Sequence, residues 1–136
     1  MSLVNTSRTY DTLPAPFGAF SHASVLELGG TKLLFISGIT ARDSDAGDIE
    51  SQTRVVYERM RTVLEAEGGG MQHVLKLNVY LTDVRTYPAT NKVREEFFTG
   101  LPAPASTLVE ISKFVRPEAL VEIECIAAIP TEVPRA

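Results

Sequence analysis

The segment Leu120 to Ile129 narrows the choice of fold more than any other stretch of this chain. Val121, Ile123, Cys125, Ala127 and Ile129 alternate with Glu122 and Glu124, the period-two pattern of a strand with one face on a core. A second run behaves in the same way: Leu75, Leu77, Val79 and Leu81 alternate with Lys76, Asn78 and Tyr80. Strands of this kind need a layer packed on their apolar face, and the intervening sequence supplies two.

Val56, Met60, Val63 and Leu64 recur at helical spacing and the pattern stops at Gly68-Gly69-Gly70, which predicts a helix over about residues 50 to 67. A shorter helix follows, with Thr86 as its N-cap, Pro88 in its first turn, Val93, Phe97 and Phe98 as its apolar stripe and Gly100 at its end. Ser24 to Leu28 and Thr31 to Ile36 flank Gly29-Gly30, a hairpin whose two turn residues need positive φ. Thr107 to Ser112 reads as one more strand. The order is ββαβαββ, with room for a further short strand near the N-terminus, and the class is α/β: a mixed sheet with two helices on one face. The opposite face would then carry residues such as Leu34, Ile36 and Ile126 and needs another cover, for which other subunits are the expected source.

The 136 residues, 44% apolar and 22% charged, have the size and balance of a single globular domain spanning residues 1–136. The apolar runs Leu33 to Ile36 and Cys125 to Ile129 are far below the roughly 20 residues that cross a bilayer. Met1 to Arg8 lacks the layout of a secretion signal, and the single cysteine, Cys125, fits a reducing compartment; a cytoplasmic location is expected. In its apolar run Cys125 reads as a small buried hydrophobe. His22 and His73 have no partner at zinc-ligand spacing, so no metal is expected. With a net charge of −4 and scattered basic residues, neither nucleic acid nor a membrane is an expected partner. Arg54, Arg59 and Arg61 have the spacing of a solvated helix face.

Among groups able to carry chemistry, Glu122 and Glu124 stand out. Two apart in a strand, they point to the same face at roughly 7 Å between Cα atoms. They are either an acid/base pair, or one or both meet lysine or arginine across a subunit boundary or simply face solvent. A carboxylate inside an apolar strand is desolvated, and desolvation raises its pKa toward the range useful for proton transfer. Ser37-Gly38, at the end of an apolar strand, lets a hydroxyl and bare backbone approach a ligand. No Gly-x-Ser-x-Gly elbow surrounds any serine and no histidine suggests a triad, which argues against a serine hydrolase. Gly68-Gly69-Gly70 ends a helix rather than opening one, so it is a stop and not a phosphate cradle.

Taken in order, these segments resemble the RidA/YjgF family, also labelled L-PSP endoribonuclease or translation initiation inhibitor. Gly18-Ala19-Phe20-Ser21-His22-Ala23 is similar to the family's Gly-Pro-Tyr-Ser-Gln-Ala, and Leu34-Phe35-Ile36-Ser37-Gly38 to its Leu-Phe-Val-Ser-Gly. Glu50-Ser51-Gln52-Thr53, Val63-Leu64-Glu65-Ala66, Val79-Tyr80-Leu81-Thr82-Asp83, and Asn91 with Glu96-Phe97-Phe98 match in turn, and Val121 to Ala127 matches the closing Val-Glu-Ile-Glu-Ala-Ile-Ala. The resemblance implies a chorismate-mutase-like fold and a homotrimer with small-molecule clefts between subunits. It also implies hydrolysis there, without a cofactor, of reactive enamines and imines such as 2-aminoacrylate to keto acids and ammonia.

It carries over Ser37, Gly38, Asn91 and Glu122, the last matching the glutamate that positions the hydrolytic water. The family's Pro-Ala-Arg-Ser/Thr, whose arginine forks onto the substrate carboxylate, reads Pro104-Ala105-Ser106-Thr107 here. Ser106 thus stands in the arginine's place, beside Thr107, and Phe20 replaces the family's tyrosine. The loop at Lys113 to Glu118 is about one residue longer than the family's. Lys113, Arg116 and Arg94 are the candidate replacement cations, and little or no turnover of 2-aminoacrylate is expected. Two readings follow from the resemblance: a deaminase or related hydrolase using Glu122 on a substrate that does not need the arginine, or a trimer that binds a small metabolite or stabilises partner proteins without catalysis.

Overall fold

A computed structural model describes residues 4–131; the start Met1-Ser2-Leu3 lies outside the described residues. Strands β1 (Val4–Arg8), β2 (Ala23–Leu28) and β3 (Thr31–Ile39) are followed by helix α1 (Ile49–Ala66) and strand β4 (Val74–Leu81). Helix α2 (Tyr87–Phe98) and strands β5 (Ala105–Glu110) and β6 (Val121–Pro130) complete the order. One six-stranded sheet results, in the order β1-β2-β3-β6-β4-β5. β4 and β5 are parallel, and every other neighbouring pair is antiparallel. The short first strand is β1, and β5 begins two residues earlier than its apolar pattern implied.

Local chemistry explains the boundaries. Gly29 and Gly30 both have positive φ, 45° and 83°, as the β2–β3 turn requires. Asp48 caps α1 by accepting the Ser51 amide at 2.7 Å, and Gly68, at φ 87°, ends it in the left-handed conformation that favours glycine. Thr86 precedes α2 but its hydroxyl donates to the Asp83 carbonyl at 2.6 Å, so it supplies no side-chain cap.

The helices share one face of the sheet. Val56, Met60, Val63 and Leu64 of α1 and Val93 of α2 are fully buried, together with Val121, Ile123 and Ala127 of β6. The residues expected on the open face need correction. Leu34 and Ile36 are 0% and 3% exposed and belong to the helix-side core. Side chains alternate across a strand, so the open face carries Leu33 and Phe35 of β3, paired with Ala128 and Ile126 of β6; Phe35 is 45% exposed. Glu122 and Glu124 share that face.

An ion cluster ties the N-terminal strand to the rest. Glu67, 8% exposed at the end of α1, accepts from the Tyr10 hydroxyl at 2.7 Å and the Lys32 ammonium at 3.0 Å, with Arg8 at 3.3 Å. Burial pushes the Glu67 pKa up, but the hydrogen bonds from Tyr10 and Lys32 and the charges of Lys32 and Arg8 outweigh it and hold the carboxyl below its ordinary value. No helix among the described residues is long and apolar enough to cross a membrane.

Candidate functional site

The site begins with an irregularity in the sheet. Ile36 pairs with Cys125 and Ile39 with Ile123, so Ser37 and Gly38 together face the single residue Glu124. This bulge interrupts the ladder and re-aims the strand, as bulges beside functional sites do. Its backbone finds partners on the other side: the Ser37 amide donates to the His22 carbonyl at 2.9 Å and the Ser37 hydroxyl to the Ser21 carbonyl at 2.7 Å. With its proton so engaged, the hydroxyl is left with lone pairs and is suited to accept rather than donate.

Gly38 makes room for Glu122. A Cβ at position 38 would stand 2.6 Å from the Glu122 Cδ and 2.8 Å from its Oε2. The conformation at Gly38 is not left-handed; the glycine is needed for the close approach of a carboxyl group, not for backbone freedom. Burial raises the Glu122 pKa and the neighbouring charge of Glu124 adds to the rise. Glu124 is held by the Tyr80 hydroxyl, whose own pKa is raised first by that bond and then by burial. The two carboxylates are therefore unequal: Glu124 is engaged within the chain, and Glu122 faces a cleft of about 430 Å³.

Three segments wall this cleft. The arm Leu13 to Phe20 forms one side. It is secured by His22, which is 8% exposed, accepts the Tyr10 amide at Nδ1 (2.9 Å) and donates from Nε2 to the Pro14 carbonyl (2.8 Å). Arg42 holds it as well, donating to the Ala15 carbonyl at 2.7 Å and lying 4.9 Å over the Phe17 ring. The loop Lys113 to Ala119 forms the second side. Gln52, 4% exposed, pins it by donating to the Glu118 carbonyl at 3.0 Å and accepting the Leu120 amide at 2.9 Å. Helix α1 contributes Arg59, which donates to the Thr40 carbonyl at 2.8 Å.

The structure divides the residues singled out in the sequence into two groups. Phe20, Ser37, Gly38 and Glu122 line the cleft together, as do Lys113 and Arg116. Asn91, Ser106 and Thr107 lie outside it. Asn91 donates to Glu95 at 3.1 Å along α2, and Thr107 on the edge strand β5 accepts from Lys76 at 2.6 Å. Ser106 accepts from Arg94 at 2.8 Å, away from the Glu122 cleft. Arg94 Nε is buried without a hydrogen-bond partner among the described residues.

Two arginines of the cleft were not anticipated. Arg54 does pair at the surface, with Glu96 at 2.9 Å, and Arg61 lies 4.9 Å over the Phe97 ring. Arg59 instead turns into the cleft, which corrects the reading of all three as one solvated helix face. Its spacing on α1 carried no mark of this, because the Thr40 carbonyl that receives it belongs to another segment, just past β3. Arg42 sits in a polar loop with no periodicity to interpret. Cys125 is buried as expected, and burial, then the Glu124 charge, pushes its thiol up to about 12.

The comparisons with known proteins agree with this architecture. The family profile described as endoribonuclease L-PSP matches residues 11–129. A RutC family protein of Synechocystis is 30% identical over 96% of this chain and 98% of its own length. The 2-iminobutanoate/2-iminopropanoate deaminase of Dermatophagoides farinae is 31% identical over 85% of this chain and 90% of the relative. Among solved structures, RidA from an Antarctic Psychrobacter superposes with a TM-score of 0.80 at 30% identity, covering 91% of this chain and 99% of that one. With the six-stranded sheet, its two helices and most of its length accounted for in this way, the chain belongs to the RidA/YjgF family.

Proposed function

We propose that the cleft hydrolyses a small reactive enamine or imine to a carbonyl compound and ammonia, with Glu122 as the group that handles the hydrolytic water. The observation that carries this reading is the placement of Glu122: a partly desolvated carboxyl group, unpaired with any cation among the described residues, pressed on bare backbone at Gly38 and facing a ligand-sized cleft. The name of the Dermatophagoides relative supports the same reaction.

An enamine first tautomerises to the imine. The Glu122 carboxylate then accepts a proton from water as the water oxygen bonds to the imine carbon, and passes that proton to the nitrogen, giving a carbinolamine. Glu122 next takes the carbinolamine hydroxyl proton and delivers it to the nitrogen as the C–N bond breaks, so that ammonia leaves and the carbonyl remains. Ser37, presenting lone pairs, accepts the substrate N–H, and Phe20 covers the apolar side. No cofactor takes part in this scheme. Asn91, Ser106 and Thr107 join the site from a neighbouring copy of the chain in a homotrimer, whose contacts cover the open sheet face bearing Phe35 and Ile126. The setting is a single domain in the cytoplasm.

The test is a coupled assay in which 2-iminobutanoate is generated from threonine by a dehydratase and the rate of 2-oxobutanoate appearance is followed. The natural protein should accelerate hydrolysis, and Glu122→Gln, which keeps the shape but cannot take a proton, should lose most of that acceleration, about 10²–10⁴-fold. Equal rates for the two proteins would refute the assignment. Sedimentation equilibrium should give a mass near three chains; one chain across micromolar concentrations would remove the shared site. A second reading, a metabolite-binding trimer without turnover, draws on Ser106: its hydroxyl, not a guanidinium, stands at that point of β5. Ligand binding with no acceleration of hydrolysis would favour it.

A further inference from the structure

We infer that Arg59 is the anion-binding residue of the Glu122 cleft and holds a ligand's carboxylate against α1. The inference rests on the reading of the cleft as a ligand site and adds the residue of this chain that anchors the ligand.

Charge accounting within the cleft leads to it. Four cations line the cleft, Arg42, Arg59, Lys113 and Arg116, against one carboxylate, Glu122. None of the four has a carboxylate within salt-bridge distance among the described residues. For Lys113 and Arg116, exposed on a loop, water compensates. Arg42 is committed to the arm, through the Pro14 and Ala15 carbonyls and the Phe17 ring. Arg59 is in a different position. It is only partly exposed, and burial lowers its pKa, with the charge of Asp43 the one opposing influence. Among the described residues its one hydrogen bond is to the Thr40 carbonyl, which engages only one of its five N–H donors. A partly desolvated guanidinium without an acid partner is costly unless an anion completes it, and its planar fork fits a carboxylate at two points.

The phenyl rings of Phe17 and Phe20, 5.2 Å apart and edge to face, give the apolar part of such a ligand a surface between the two ends. In this arrangement Arg59 takes the role that the resemblance assigns to the arginine missing at Ser106, from a different element of the fold.

The probe is 2-oxobutanoate, the stable product of the proposed reaction, titrated calorimetrically into the natural protein, Arg59→Gln, Arg59→Lys, Arg94→Gln and Glu122→Gln. Saturable binding that weakens with added salt is expected for the natural protein. Arg59→Gln should weaken it by about 30-fold or more, as truncation of a buried charge pair does. Arg59→Lys keeps the charge without the fork and should fall between the two; it also decides the matter if Arg59→Gln proves unfolded by thermal denaturation. Glu122→Gln should still bind while failing to turn over, which separates this inference from the catalytic reading. Absence of saturable binding, undiminished binding by a folded Arg59→Gln or by Arg59→Lys, or loss of binding in Arg94→Gln but not Arg59→Gln would each overturn it.

Discussion

Gly38→Ala probes the site through geometry alone. The added methyl carbon would lie 2.6 Å from Cδ, 2.8 Å from Oε2 and 2.9 Å from Cγ of Glu122, whereas carbon atoms rest at about 3.5 Å or more from such neighbours. The carboxyl group must retreat by about 1 Å. Because the obstacle is the end of a flexible side chain and Gly38 has no positive φ, the backbone need not move. The reduced entropy of the unfolded chain favours alanine by about 0.4–1 kcal/mol, offsetting part of the crowding. Melting temperature should therefore change by only a few degrees, while a displacement of about 1 Å lowers kcat/KM for 2-iminobutanoate by about 100-fold. In a Glu122→Gln background the same change should have little further effect, since two residues in contact are not additive. A folded Gly38→Ala protein with unchanged kcat/KM would refute the assignment of Glu122 to the reacting atoms, and equal losses in both backgrounds would show that Gly38 acts through something else.

Further expectations concern other parts of the molecule. Since burial raises the Glu122 pKa and its ionised form is the one that accepts a proton, kcat/KM should fall on the acid side with a midpoint above 4.5, and a midpoint at or below that value would contradict the burial argument. Glu67 is shifted the other way, so its stabilising contribution is present above its ordinary value of 4.5 and disappears as pH falls through its lowered folded value; Glu67→Gln should flatten the acid limb of a plot of melting temperature against pH. Gln52→Ala strands the Glu118 carbonyl and the Leu120 amide and should destabilise by about 2 kcal/mol in urea unfolding; a change within error would show that water replaces the amide. If Arg59 supplies the cation, Ser106→Arg should gain no activity on 2-iminobutanoate, and a gain of about 30-fold or more would return the carboxylate to the β5 edge.

Much of the fold was legible in the residues. The alternation in β4 and β6, the Gly29-Gly30 turn and the apolar stripe of α1 each report a local property: which way successive side chains point, or which φ a residue tolerates. Glu122 was legible for a related reason, since a carboxylate in an otherwise apolar strand is anomalous in any fold. The open sheet face was legible in kind but not in membership. Leu34 and Ile36 were expected there and Leu33 and Phe35 are found, because a one-residue offset exchanges the faces of a strand and the run Leu33 to Ile36 is apolar at every position.

The amino-acid sequence by itself determined the family, the two-helix mixed-sheet class and the candidacy of Ser37, Gly38 and Glu122, all of which depend on residue type and local order. Only the tertiary structure decided where those residues meet. The bulge that opposes Ser37 and Gly38 to Glu124 is a property of the β3–β6 pairing, between strands more than eighty residues apart. The inward turn of Arg59 depends on the Thr40 carbonyl of another segment, and the separation of Ser106 from Glu122 depends on the strand order β6-β4-β5. Each is a contact between distant parts of the chain, and neither periodicity nor propensity, which act over a few neighbouring residues, contains that information.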